Sequence, residues 1–297
     1  MKWIRRLLVL IVGFLVVFFL VLLPVGGSFL ITNSHFHYPE KGPRTPEEVG
    51  LPVEPVEFKT ADGLTLRGWW SEGDPGSPVI IFCHGLNRSR IELLVRAGEA
   101  HKRGYGVLLF DLRNHGESDR AHTTLGILES QDVQAASQLV RMKAPGKPQF
   151  LWGVSMGAAT ALLAVRDYGG FAGVVSDSAF PSFRETIEHH VRLLFRIPSF
   201  PVANMIVWLT GVRMHIDPDS GDVEAAVKKF GNVPVLFIAG GADKRMPPGV
   251  AKRLYDANQS PLKKLIVVPG AGHGEAFSTN REQYLEAVFS FFKSIQT

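Results

Sequence analysis

From Val79 onward the chain alternates between short runs in which almost every residue is apolar and longer stretches with apolar residues every three or four positions. The runs PVIIFCHG (78–85), YGVLLFDLR (105–113), FLWGVS (150–155), FAGVVSDS (171–178), VPVLFIAGG (233–241) and KKLIVVPG (263–270) have strand length. Their continuous apolar character predicts parallel strands buried on both faces. Between most of them the helical period appears, in IELLVRAGEAHKRG, ILESQDVQAASQLVRMK and GAATALLAVRDYG. Upstream the pattern is different. PVEFKT and LTLRGWW alternate polar and apolar residues around Ala61-Asp62-Gly63, which predicts a hairpin. The expected fold class is α/β, a doubly wound and mostly parallel sheet with an antiparallel start.

Two stretches fall outside that rhythm. Leu7 to Ile31 holds 25 residues with no charge, long enough to cross a bilayer. Gly26-Gly27-Ser28 is a poor cleavage site, so residues 1–31 are expected to be a retained single-pass anchor to the cell membrane rather than a cleaved signal. Lys2, Arg5 and Arg6 should stay cytoplasmic, placing the following domain on the other side. Residues 32–53, punctuated by Pro39, Gly42, Pro43, Pro46 and Pro52, are expected to be a linker, with the folded domain over 54–297. The second irregular stretch, about residues 180–230, is too long for a simple crossover. HHVRLLFRIPSFPVANMIVWLTGV within it is aromatic and branched and is broken by Pro198 and Pro201. Two short helices forming a lid over a substrate pocket are expected, since ligands of open α/β sheets bind beyond the strands' carboxyl ends.

Charge narrows the partners. The formal charge is +4, but three of the 32 basic residues are Lys2, Arg5 and Arg6, leaving 29 against 28 acidic residues. That balance gives no footprint for nucleic acid. The lone cysteine, Cys83, lies inside an apolar run and is expected to be a buried strand residue. No H-E-x-x-H, paired-cysteine or phosphate-loop motif is present, and His35-x-His37 is too sparse for a metal site. No metal or cofactor is expected.

The chemistry is carried by G-V-S-M-G at 153–157, where a strand turns directly into a helix. A sharp turn crowds the backbone, so Gly153 and Gly157 leave room while Ser155 is exposed at the apex, above a helix N-terminus. A serine hydroxyl needs a base, and the base needs an orienting partner. Among ten histidines, only His273 follows a late strand in a glycine-rich loop, PGAGHGE. His35, His37, His101, His122, His189, His190 and His215 lack such a setting. Asp243, just after the preceding strand, can accept the imidazole N–H. Asp177, at the end of an earlier strand, is the alternative acid. Gly85, in CHGLNRS, lets the backbone approach, so the N–H of Leu86 can join that of Met156 as oxyanion donors. His84 is expected to hold that loop. FDLRNHGESD reads as a tight loop held by Asp111, Arg113 and Ser118, with His115 structural.

Taken together, the elbow, the H-G loop, G-x-x-D and G-x-G-H-G resemble the α/β-hydrolase superfamily over roughly residues 54–297, and within it membrane-anchored serine hydrolases with a lid insertion. The resemblance implies Ser155 as nucleophile, Asp243 as acid, His273 as base, and Leu86 and Met156 as oxyanion donors. The order Ser155, Asp243, His273 matches that class. It implies cleavage of carboxylic esters or thioesters, with a small-molecule or lipid-like acyl ester as substrate. Peptidase, acyltransferase or non-catalytic binding roles on the same fold are the alternatives. GAGHGEA loosely echoes a dinucleotide loop, but it lacks the third glycine and only one helix follows it.

Overall fold

The protein is described by a computed structural model covering residues 2–33, 38–39 and 42–296. It divides into two compact units, residues 38–181 with 223–296 and residues 2–33 with 182–222. His35 and His37 lie outside the described residues.

The α/β unit is built on eight strands: β1 Glu54–Lys59, β2 Thr65–Ser71, β3 Val79–Cys83, β4 Gly106–Phe110, β5 Gln149–Val154, β6 Gly173–Asp177, β7 Val235–Gly240 and β8 Lys263–Val268. They form one sheet in the order β1-β2-β4-β3-β5-β6-β7-β8. β2 is antiparallel to both β1 and β4, and every later pairing is parallel. The hairpin turn follows its sequence: Gly63 adopts φ +88°, and its N–H donates to the Thr60 carbonyl. β8 departs from expectation. Lys263–Ile266 are mostly half-exposed and Val267 is 42% exposed, because an edge strand has a partner on one side only.

Central strands sort their side chains by alternation. Ile80, Phe82, Phe150, Trp152, Val154, Leu236 and Ile238 join one core with Leu94 and Ala97 of helix α2 (Leu94–His101) and with the aromatic face of the last helix, Arg281–Gln296. There Trp152 stacks on Phe82 at 5.3 Å and on Tyr284 at 6.1 Å, and Phe150 stacks on Phe292 at 4.5 Å. The intervening Ile81, Leu108, Leu151 and Val174 are fully buried and absent from that core, which assigns them to the opposite face. Helices α3 (Glu129–Lys143) and α4 (Met156–Tyr168) pack on that side of the sheet.

The expected segment boundaries need correction at both ends of the unit. Part of the stretch 32–53 is folded rather than linker. Thr45 and Glu48 form a reciprocal capping box around the short helix Pro46–Val49, and Leu51 is buried in the core beside α2. After the lid, Val223–Val227 is already a helical turn packed on α4. The excursion from the α/β unit is therefore residues 182–222, shorter than 180–230.

The second unit is helical. The apolar N-terminal segment forms α1, Lys2–Asn33, continuous but for a wider turn at Phe18–Leu22. It extends two residues past the expected boundary. Among the described residues α1 is the one helix long and apolar enough to cross a membrane, with a mean hydropathy of 3.3 over its best window. The excursion supplies α5 (Phe183–Phe195), begun by the Ser182 side chain accepting from the Glu185 N–H, and α6 (Val202–Met214). Pro198 and Pro201 fall between them, where a missing backbone N–H costs no helical hydrogen bond.

Candidate active site

The sheet reverses its winding between β3 and β5: β4 lies outside β3 on one side, and β6 to β8 continue on the other. The crevice at such a switch point is where α/β sheets bind ligands. Two segments named from the sequence emerge there, G-V-S-M-G after β5 and CHGL after β3.

The elbow is as tight as its glycines demand. A Cβ on Gly153 would sit 2.3 Å from the Gly157 carbonyl, and one on Gly157 would sit 2.0 Å from the Cys83 carbonyl. Ser155, the cap of α4, is held at φ +52°, ψ −117°. That is a region costing about 1–3 kcal/mol for a residue with a side chain. Its N–H donates to the Asp177 carbonyl at 2.8 Å, and its carbonyl accepts from Ala159 at 3.1 Å, so the strain is braced from both sides.

The structure brings Ser155, His273 and Asp243 into one chain of hydrogen bonds. His273 Nδ1 donates to Asp243 Oδ2 at 2.7 Å, and this selects the tautomer whose Nε2 accepts the Ser155 hydroxyl at 2.8 Å. Asp243 is fixed by its own loop. Oδ1 accepts from the N–H groups of Arg245 and Met246, each at 2.8 Å, and the side chain has no exposure. Gly240 lets the β7 and β8 loops meet, since a Cβ there would lie 2.4 Å from the Gly272 carbonyl. The Ala242 N–H donates to the Ala271 carbonyl at 2.8 Å, which locks the two loops together. The imidazole is 13% exposed and Ser155 is half-buried. Solvent thus reaches the pair. Met156 opens α4 with its side chain buried, and Leu86 sits half-buried in the abutting β3 loop.

Asp177 is not beside the imidazole Nδ1. Its Oδ2 accepts from the Tyr284 hydroxyl at 2.9 Å and its Oδ1 from the Ser178 hydroxyl at 2.9 Å. Burial pushes its carboxyl above the usual range, partly offset by the charge of Arg96. The same network was not legible in the sequence. The Trp152 indole N–H donates to the Tyr284 oxygen at 3.2 Å, and Ser178 Oγ accepts the Gly274 N–H at 3.3 Å, tying the loop of His273 to the core. Ser178 stands at φ +59°, and Tyr284 comes from a helix more than one hundred residues away, so no local pattern announced either.

His84 and His115 hold structure. His84 donates from Nδ1 to the Gly85 carbonyl and accepts the Leu112 N–H at Nε2. His115 donates from Nδ1 to the Arg113 carbonyl and accepts the Asn87 N–H at Nε2. Asp111 accepts from the Arg90 and Glu117 N–H groups, its carbonyl accepts the Ser118 hydroxyl, and Arg113 pairs with Asp132 and Asp62. Cys83 is fully buried, and burial pushes its thiol far up. No group of three or more metal-ligating side chains occurs among the described residues.

The sequence model of the alpha/beta hydrolase family matches residues 80–289. Protein YqkD of Bacillus subtilis is 27% identical over 239 residues, covering 80% of this chain and 78% of its own. YfhR of Escherichia coli K12 is 27% identical over 296 residues, 95% and 94% of the two chains. Among solved structures, the Pyrococcus furiosus esterase Pf2001 superposes with a TM-score of 0.71 at 26% identity, covering 87% of this chain and 97% of its own. With the family's sequence model spanning most of the α/β unit and an esterase matching its fold, the chain belongs to the alpha/beta hydrolase family.

Proposed function

We propose that the protein is a serine hydrolase that cleaves carboxylic esters or thioesters through an acyl-enzyme, with Ser155, His273 and Asp243 as its triad. The carrying observation is the continuous relay of 2.8 Å from serine to imidazole and 2.7 Å from imidazole to carboxylate. As Ser155 Oγ attacks the carbonyl carbon, His273 Nε2 takes its proton, and Asp243 stabilises the imidazolium it orients. The backbone N–H groups of Leu86 and Met156 donate to the oxyanion. Collapse breaks the bond to the leaving alcohol or thiol, which receives the proton from His273. Water then attacks the acyl carbon with His273 as base, releasing the acid and restoring the serine. The likeness to Pf2001, itself named an esterase, supports the ester class. In this reading α1 is a membrane anchor and residues from about 42 onward form the catalytic part with its helical insertion.

The test is reaction with a fluorophosphonate, which phosphonylates only an activated serine. One equivalent on the wild type and none on a folded Ser155→Ala variant is the expected result. Equal labelling of both proteins sinks the assignment.

A further inference from the structure

Within the helical unit, α6 lies along the C-terminal third of α1. A Cβ on Gly27 would sit 2.9 Å from Ile206 Cδ1, so the two helices touch closely. Further along, Thr210 Oγ1 lies 3.1 Å from Ser28 Oγ. Arg213 donates to Ser28 Oγ at 2.7 Å and to Asn33 Oδ1 at 3.1 Å, with its guanidinium over the Phe29 ring. Position 206 thus pairs with 27 and position 213 with 28–33, so the helices run in the same direction. α6 also contacts Phe18–Leu22.

That register sets a depth. Counting from Leu7, just past the last cation of the N-terminus, about 20 residues cross the hydrocarbon, which places the far boundary near Gly26. Ile206 then stands at the boundary, and the first turn of α6 and the loop before it stand below it. That loop and its flanks carry exposed apolar side chains: Leu194 is 67% exposed, Phe195 46% and Phe200 74%, and on α6 Trp208 is 63% exposed. Arg192 and Arg196 are exposed in the same segment, long enough to reach back to lipid phosphates.

We propose that the α5–α6 hairpin is a second membrane contact, inserting Leu194, Phe195 and Phe200 into the leaflet from which α1 emerges, with Trp208 at its surface. The occupant of this apolar surface is the bilayer itself. The proposal rests on reading α1 as a span. Together with the hydrolase reading it points to esters dissolved in that leaflet as the substrate class.

The test uses the full chain in phosphatidylcholine–phosphatidylglycerol vesicles. A polarity-sensitive fluorophore is attached at Leu194→Cys or Phe200→Cys, with Lys293→Cys on the exposed face of the last helix as reference. Cys83 is buried and stays unlabelled. Blue-shifted emission, quenched about threefold or more over the reference by lipids spin-labelled in the upper acyl chain, is expected for both hairpin positions. Emission and quenching equal to the Lys293→Cys reference would overturn the contact. Fluorophosphonate reaction on the same vesicles reads the hydrolase assignment separately. A hairpin in water on a reactive enzyme overturns only the membrane contact. A lipid-embedded hairpin on an unreactive enzyme supports the contact and overturns only the triad.

Discussion

The two units of this protein differ in where they place polarity, although the excursion also buries Phe183, Ile187, Val202 and Ile206. In the α/β unit the strand interiors are apolar and fully buried, with Ile80, Ile81, Leu108, Phe150 and Trp152 at zero exposure. The buried carboxylates Asp243 and Asp177 there are hydrogen-bonded, to His273 and to Tyr284. In the helical unit the buried residues include Ser28, Thr32 and Thr210, joined through Arg213, while valines, leucines and phenylalanines of α1 and Phe200, Trp208 and Val212 of the excursion face outward. Hydrophobic burial drives the first arrangement, because water rejects about 25 cal/mol for each Å² of apolar surface. In hydrocarbon that drive vanishes between helices, and small polar side chains become the contact. The difference teaches that the solvent of a region can be read from which residues it hides.

Removing the nucleophile should give the largest effect and leave both arrangements intact. Ser155→Ala and His273→Ala should each lower kcat on an ester by about 10⁴-fold or more with the thermal midpoint retained. Wild-type turnover by either folded variant ends the triad assignment. Next, Asp243→Asn should lower kcat by about 10³- to 10⁴-fold with little change in KM, and Asp177→Asn by less than about tenfold. The opposite ranking would move the acid to Asp177.

A pair of tryptophans measures the comparison itself. Trp152→Ala, at the centre of the α/β core, should cost about 3–5 kcal/mol in urea unfolding. Trp208→Ala, 63% exposed, should change stability in detergent by less than about 0.5 kcal/mol. Equal costs would mean that Trp208 is packed, and the contrast between the units fails. Charge gives the smallest expected signal. The buried Asp177 carboxyl titrates above its unfolded value, so the native state holds its proton more tightly, and this contribution to wild-type stability declines as pH rises from the ordinary carboxylate range. Asp177→Asn should therefore gain stability relative to wild type between pH 4 and neutrality, read from unfolding midpoints across pH. A gain on acidification instead would show that Arg96 and Tyr284 outweigh burial.

Much of this was legible along the chain because its signals are local. The six apolar runs lie on β3 to β8, and the apolar/polar hairpin on β1 and β2. The elbow needs two glycines within five residues, and the histidine loop sits in PGAGHGE. Other features were hidden for reasons of range. Leu51 lies in a proline-rich stretch whose composition reads as linker, and its burial in the core shows it folded. KKLIVVPG has the composition of a buried strand, and its edge position depends on the pairing order of the sheet. Ile206 belongs to an apolar stretch that reads only as helical, and its packing against Gly27 spans nearly 180 residues of sequence.

Element types, the membrane-length helix and the loops that carry Ser155 and His273 follow from residue order, since propensity, period and turn sterics act over a few neighbours. Which carboxylate meets the imidazole does not. Asp177 ends β6 and Asp243 follows β7 in the same sheet, and the hydrogen bond from His273 goes to Asp243 because Gly240 lets the β7 and β8 loops meet while Tyr284 and Ser178 occupy the other carboxylate. The pairing of the N-terminal helix with the excursion 182–222 is likewise a matter of packing. It depends on a seam of Gly27, Ser28, Thr32, Thr210 and Arg213 whose members are ordinary helix residues until the two helices lie side by side.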